Sequence, residues 1–436
     1  MRDVSLWRGL LGVEKAVVER VEFDEAAQVF VAHVRPTSRQ RGRCGLCRRR
    51  CPGYDAGPGR RRWRALDLGT TVAMLEADMP RVTCPVHGVV VAHVPWARHN
   101  AGHTRAFDDQ VAWLATQASK STATQLMRIA WRTVGAIITR VWADIEGQHD
   151  RLAGLRRIGI DEISYKKGHK YLMVVVDHDT RRLVWAAPGR NAATVREFFD
   201  LLGAERCAQI THVSADGAEF IEAIVAKACP AAVRVADPFH IVKWASEALD
   251  EVRREAWNQA RRAAREEPKR GNGRPRADAP PPEVTRPGSE RAKGLKGARY
   301  ALWKNPEDLT ENQQAKLAWI AATDPKLYRA YLLKEGLRLV FKLPYRAAVT
   351  ALDRWVAWAR RCRIPAFVKL QKSIVKHRSR ILAAIEHRLS NGLIESTNTK
   401  IRLITRVAFG FHSAQALIAL AMLNLGGHRP ALPGRN

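Results

Sequence analysis

The segment RIGIDEISYKKGHKYLMVVVD, residues 157–177, decides how this chain is read. RIGIDEIS (157–164) and KYLMVVVDH (170–178) are short, near-continuous apolar runs rich in β-branched residues, the pattern of buried strands. RLVWAAP (182–188) follows just as closely, so three strands come in succession with no room for a helix. Beyond them the pattern changes. AQITHVSAD (208–216) and AAVRVAD (231–237) read as two more strands, with helical spacing in AATVREFFDLLG (192–203) and GAEFIEAIVAKA (217–228). A hairpin-rich start followed by βα units predicts an α/β domain, a mixed sheet with helices packed on it.

This sheet carries acidic residues where they are costly. Asp161 lies inside the first strand and Asp216 closes the fourth. A carboxylate in a buried strand is unfavourable unless it is paired or metal-bound. The first strand and the strand after the first helix often lie side by side. That arrangement would bring Asp161 and Asp216 together, able to hold two divalent ions about 4 Å apart. Glu395, in SNGLIESTNTKIRLITRVAFGF (390–411), would add a third carboxylate from a later helix. Hard oxygen ligands of this kind suit Mg²⁺, and such a pair of ions supports in-line phosphoryl transfer.

Upstream, VVERVEFDEAAQVFVAHVRP (17–36) alternates as a hairpin does, and TVAMLEADMPRVTCPVHG (71–88) reads as one strand running into a Cys/His turn. Cys44 and Cys47 form one CxxC knuckle, and Cys84 and His87 a CxxH knuckle. Together they offer four soft ligands for a structural zinc ion, with Cys51 a spare that could replace one of them. Residues 104–148 read as helices. Within them Lys120–Thr139 fits a helix-turn-helix, with Met127, Ile129, Val134 and Ile137 packing inward. Arg132, Thr133, Thr139 and Arg140 then face outward, suited to a major groove. Thr124 and Arg128 stand where a smaller residue and a glycine are usual.

Downstream of Pro238 the pattern is helical. The stretch from about Pro268 to Gly297, rich in Pro, Gly and Arg, lacks apolar periodicity and reads as a flexible linker. Helical spacing returns over Glu311–Arg363, in a region holding Trp303, Trp319, Trp355 and Trp358.

The 436 residues suggest two or three domains, and 46% hydrophobic residues are enough for sizeable cores. A net charge of +30 calls for a polyanionic partner, and nucleic acid is the first candidate. No signal-peptide-like start and no apolar run of membrane length is seen, so a cytoplasmic protein without a membrane partner is expected. Seven cysteines, an odd number, argue for metal or free thiols over a disulfide framework.

Taken together, the two knuckles, SKSTATQLMRIAWRTVGAIITRV (119–141), GIDEISYKKGHKYLMVVVD (159–177), DPFHIVK (237–243) and the 390–411 segment resemble the DDE transposases of bacterial insertion sequences, the ISL-three family. The resemblance covers nearly the whole chain. It implies a ribonuclease-H-like core interrupted by a helical insertion ahead of the helix that bears the last Glu. The implied organisation is a zinc-binding module at 1–100, a helix-turn-helix at 101–150, the first part of the core at 156–250, the insertion at 251–385 and the final helix of the core at 386–430. The implied triad is Asp161, Asp216 and Glu395, with Mg²⁺ or Mn²⁺ as cofactor and Zn²⁺ in the finger. Where the family usually has a fourth cysteine this chain has His87, which still ligates zinc.

Asp237 is the rival for the second carboxylate. It would end the fifth strand, one place further from Asp161, so it reads with His240 as an accessory pair near the scissile phosphate. Asn391, Asn398, Lys400, Arg402 and Arg406 on the last helix, and Lys166 and Lys167 after the first strand, are candidate phosphate contacts or simply a solvated basic face. Trp303 or Trp355 would stack on a flipped or hairpinned DNA end. The expected partners are transposon ends and target duplex, bound by a homodimer or higher oligomer, in the nucleoid. A DNA-binding protein without cleavage activity and a nuclease acting on hybrids or junctions are the rival readings. Three intact carboxylates argue against the first, and the finger with its helix-turn-helix argues against the second.

Overall fold

The computed structural model describes residues 3–215, 218–267 and 287–435. After α1 (Asp3–Leu10), the alternating stretch folds as the expected hairpin of β1 (Ala16–Asp24) and β2 (Val29–Pro36). Asp24 Oδ1 accepts from Ala27 N at 2.9 Å in its turn. β3 (Gly53–Asp55), β4 (Arg60–Arg64), β5 (Val72–Asp78), β6 (Arg81–Cys84) and β7 (Gly88–Val91) complete two small sheets, ordered β1-β2-β5-β4 and β3-β6-β7. Residues 71–88 are therefore not one strand but two, in different sheets. Pro80 has no N–H with which to continue a ladder, and Met79 N turns instead to Gly59 O at 3.0 Å.

α2 (Arg105–Gln117), α3 (Lys120–Met127) and α4 (Trp131–Glu146) follow. The Thr104 and Ser119 hydroxyls cap the first two by accepting from Phe107 N and Thr122 N. Met127, Val134 and Ile137 are buried and Ile129 is half-buried, as the helical spacing requires. Ala123 is fully buried in the core, and Thr124 beside it is half-buried. Arg128 takes the left-handed φ of 51° that glycine usually takes there. Its guanidinium is bound to the Asp67 carboxylate and donates to Thr70 O at 3.0 Å, which ties this turn to the β4–β5 loop.

The five expected strands form one sheet: β8 (Arg157–Lys166), β9 (Lys170–Asp177), β10 (Arg182–Pro188), β11 (His212–Ala215) and β12 (Val233–Ala236). Their order is β10-β9-β8-β11-β12, antiparallel among the first three and parallel from β8 to β12. α5 (Ala192–Leu202), α6 (Ala204–Gln209) and α7 (Glu219–Ala228) join the later strands and cover one face, where Ile158, Ile160, Met173 and Val175 are buried. The opposite face buries Ile163, Leu172, Val174 and Val176 in a single core with Val111, Val134 and Ile137. The helix-turn-helix thus shares its core with the sheet.

The rest of the chain is helical. α8 (Pro238–Glu266) is followed by α9 (Pro287–Leu295), α10 (Arg299–Trp303), α11 (Glu311–Thr323), α12 (Pro325–Val340), α13 (Tyr345–Arg361), α14 (Pro365–Lys376) and α15 (Arg378–His387). α16 (Gly392–Val407) and α17 (Ala414–Leu425) return to the sheet. Part of the expected linker, residues 268–286, lies outside the described residues. Its last third is corrected, because residues 287–295 are helical. Glu267 Oε1 accepts from Gly288 N at 2.6 Å and Oε2 from Ser289 N at 3.3 Å, satisfying N–H groups that a helix start leaves open. Among the described residues no helix is long and apolar enough to cross a membrane.

Candidate active site and nucleic-acid interface

Side chains alternate along β8, so Asp161 shares the face of Ile163, the face that α16 covers. β11 runs parallel to β8 with Ala215 opposite Ile160, the residue before Asp161. Asp216, next after Ala215 in the sequence, lies outside the described residues. Ile394 and Ile401, both fully buried, seat α16 on the sheet. Glu395 is half-buried in its first turn. One turn later, Asn398 Nδ2 donates to Asp161 Oδ2 at 2.7 Å, while Asp161 Oδ1 accepts from Glu162 N at 2.8 Å. Residues three apart share a helix face, so the Asn398 contact brings the Glu395 face of α16 to Asp161.

Two expected phosphate contacts are corrected here. Asn398 is 3% exposed and spends its amide on Asp161, and Asn391 is 1% exposed where α16 begins. Neither reaches a DNA backbone from outside. Arg402 and Arg406, about two and three turns beyond Glu395, are exposed on its side of the helix. Lys400 is exposed but points to another side, about 140° round from Glu395.

Asp237 sits past β12, two strands from β8, or roughly 10 Å at the usual strand spacing. It is 4% exposed, and its carboxylate is engaged locally. Oδ1 accepts from Phe239 N and Asn391 N, each at 3.3 Å, and Oδ2 pairs with His240 Nδ1 at 2.8 Å. Asp237 and His240 therefore touch each other directly. Asp237 caps α8 and ties it to the start of α16, a link that sequence alone gave no sign of.

On α4, expected to be the second helix of the helix-turn-helix, Arg132 and Thr139 are exposed and Thr133 is half-buried. Arg140 is corrected. Its guanidinium makes a two-bond pair with the fully buried Asp108, Nε to Oδ2 at 2.9 Å and Nη2 to Oδ1 at 2.8 Å. A buried carboxylate needs such a partner, so Arg140 is held inside a network with Arg98, Arg105, Asp109 and Asp144. Lys166 and Lys167 are exposed at the tip of the β8–β9 hairpin. The expected tryptophans also divide. Trp355 is 3% exposed with its Nε1 donating to Leu333 O at 2.7 Å, so it cannot stack on DNA. Trp303 is 37% exposed, with the Arg299 guanidinium 3.9 Å from its ring centre.

In the N-terminal module, ligand atoms of Cys44, Cys47, Cys84 and His87 lie within 4.8 Å of one another. Zinc bonds of usual length in a tetrahedron give S···S edges of about 3.8 Å and S···N edges of about 3.6 Å. Cys47 Sγ to Cys84 Sγ is 3.7 Å, Cys44 Sγ to His87 Nδ1 3.6 Å and Cys84 Sγ to His87 Nδ1 3.5 Å, so the set fits zinc. Arg48 and Gly88, just after the two knuckles, take positive φ to turn the chain. Cys51 stands outside the four, its thiol donating to Arg49 O at 3.3 Å.

Three families match in chain order. The zinc-finger of transposase IS204/IS1001/IS1096/IS1165 matches residues 40–87, the helix-turn-helix domain of transposase family ISL3 residues 92–142, and the ISL3 DDE transposase residues 158–421. The chain is 64% identical over 442 residues to the transposase for insertion sequence element IS1557 of Mycobacterium tuberculosis (strain CDC 1551 / Oshkosh), covering 100% of this chain and 98% of that one. It is 26% identical over 424 residues to the transposase for insertion sequence element IS1001 of Bordetella parapertussis, covering 95% and 96%.

Proposed function

The chain belongs to transposase family ISL3, and from that premise we propose that it binds the terminal inverted repeats of its element, cuts at the element's end and joins the freed strand to target DNA. The observation that carries the reading is the Asn398–Asp161 hydrogen bond, which holds α16 and its Glu395 against the strand bearing Asp161. Asp161, Asp216 and Glu395 are the proposed carboxylates, with Asp237 and His240 accessory. The sheet order β10-β9-β8-β11-β12, with the second strand antiparallel, supports a ribonuclease-H-like core interrupted by the helical insertion at 251–385.

In the first step water attacks the phosphorus at the element's end. The bond to the 3′ oxygen breaks, and that oxygen leaves as a hydroxyl. In the second step the same hydroxyl attacks a target phosphate, whose own 3′ oxygen departs. Mg²⁺ or Mn²⁺ held by the three carboxylates would supply charge for the attacking and leaving oxygens. The protein's share is positioning: Asn398 fixes the Asp161 carboxylate, and Arg402, Arg406, Lys166 and Lys167 offer charge to the DNA backbone. The zinc module and Arg132 and Thr133 of α4 bind the end itself. Since two ends are joined in one event, a homodimer or higher oligomer assembles on DNA in the nucleoid.

The test is cleavage of a labelled duplex carrying the element's own end in Mg²⁺, comparing wild type with Asp216→Asn and Asp237→Asn. Nicking at the end by wild type, loss in Asp216→Asn and retention in Asp237→Asn is the expected pattern. The reverse pattern makes Asp237 the second carboxylate, and binding without cutting by wild type removes the enzyme from the reading.

A further inference from the structure

Beyond the carboxylates, the same face of the core carries a cavity of about 260 Å³ lined by Trp131, Tyr165, Lys166, Phe409, Phe411 and His412, with Gly410 at its edge. Three elements meet there: the first residue of α4, the end of the strand that bears Asp161, and the loop that leaves α16. We propose that this pocket captures one unstacked nucleobase of the DNA end, with Lys166 on the adjoining phosphate. The proposal rests on the transposase reading for its ligand.

The walls are built for a flat aromatic guest. The β8–β9 register slips between Ser164 and Lys166, so Tyr165 sits at a bulge, and a bulge turns neighbouring side chains toward one side. Tyr165 and Lys166 both line the cavity as a result. Trp131 is fixed from behind. The Lys120 ammonium, on a side chain only 2% exposed, lies 3.7 Å from the centre of the Trp131 ring and 4.5 Å from that of Phe411. His412 meets Trp131 edge-on at 5.0 Å. The last wall is uncovered: Phe409 is 79% exposed at a left-handed φ of 54°. A large apolar side chain held out in that strained conformation gains nothing in the free protein. A stacked base would cover it.

The surroundings suit nucleic acid over an apolar guest. Aromatic faces beside cationic side chains hold single-stranded bases by stacking, whatever the base. Lys166, which lines the cavity, is exposed, as is Lys167 next to it in the hairpin turn. Tyr165 lies four residues beyond Asp161 on β8, roughly 13 Å at the rise of a strand. A stacked DNA strand covers that distance in about four nucleotides, which sets the captured base within about four nucleotides of the cut.

The experiment uses the full chain and a forked duplex of the element's end, with 5-iododeoxyuridine placed singly through the unpaired nucleotides, followed by irradiation and peptide mapping. Cross-links to peptides holding Trp131, Tyr165 or Phe409–Phe411 are expected. Their yield should fall at least five-fold in Phe409→Ala and recover in Phe409→Tyr. Cross-links confined to other peptides, no cross-link at all, or an unchanged yield in Phe409→Ala overturns the pocket. Asp161→Asn separates this from the catalytic reading, since it should abolish cutting and keep the cross-link. A protein that cross-links here but never cuts keeps the pocket and loses the enzyme, and one that cuts but cross-links elsewhere does the opposite.

Discussion

Asn398 and Asp161 stand 237 positions apart in the chain, yet the Asn398 amide donates to the Asp161 carboxylate at 2.7 Å. One hydrogen bond thus joins the strand of the first candidate carboxylate to the helix of the last, across the whole insertion. Removing it takes the Asn398 amide from Asp161 Oδ2, leaves Oδ1 on Glu162 N, and loosens the docking of α16.

Asn398→Ala is therefore expected to lower the end-cleavage rate by about 100-fold, the scale on which a displacement of 1 Å acts. It should also raise the Mg²⁺ concentration needed for half-maximal rate, with binding to the end unchanged in a gel shift. A Mg²⁺ response that matches wild type would make Asn398 merely structural.

Zinc content tests the N-terminal cluster. Wild type should carry one zinc per chain by elemental analysis, and Cys84→Ala and His87→Ala none. Because the metal closes both knuckles, those variants should also lose binding to the element's end. Cys51→Ala should keep its zinc, since Cys51 stands outside the four-ligand set.

Asp108 and Arg132 separate stability from recognition. Asp108 is fully buried among Arg98 and Arg140, so Asp108→Ala strands charge and should cost about 3–5 kcal/mol in denaturant unfolding. Arg132 is exposed, so Arg132→Ala should leave the unfolding midpoint in place and weaken end binding. A stable Asp108→Ala protein would show that the network is not holding the helices together.

Burial pushes the Lys120 ammonium down from 10.5 to about 8. The unfolded chain therefore holds this proton more tightly than the fold does. The cost of burying the charge is full below about pH 8 and fades as pH rises toward 10.5. Lys120→Met, which keeps the volume without the charge, should melt above wild type at pH 7, with the gap narrowing from pH 8 to 10.5. A gap independent of pH would mean that the two aromatic rings fully replace the lost hydration.

Gly294 has no room for a side chain: an added Cβ would lie 2.1 Å from the Trp319 ring. Gly294→Ala should destabilise the insertion by roughly 1–3 kcal/mol in thermal unfolding, the usual cost of overpacking. Trp319→Leu in the same chain should recover part of it.

Local pattern and spacing determined much of this protein. Three apolar runs without space for a helix, then βα units, require a mixed sheet, and CxxC with CxxH brings four zinc ligands together because each knuckle is a turn of fixed length. Helical spacing marked Met127, Val134 and Ile137 as inward. Tertiary structure alone decided what the polar residues on those elements do. Arg140 and Asn398 sit at helical spacing suited to DNA contacts, but each faces a carboxylate brought in from elsewhere in the chain, the fully buried Asp108 for Arg140 and the half-buried Asp161 for Asn398, and a carboxylate withdrawn from water binds the donor beside it. Trp355 reads like its neighbours until its Nε1 finds Leu333 O. The helix over residues 287–295 lacks apolar periodicity, and the Glu267 carboxylate satisfies the open N–H groups of Gly288 and Ser289 at its start. The Trp131–Tyr165–Phe409 pocket draws on three segments that no periodicity links. Sequence patterns record which face of an element is apolar, whereas the pairing of charges and rings depends on which faces the fold sets against each other.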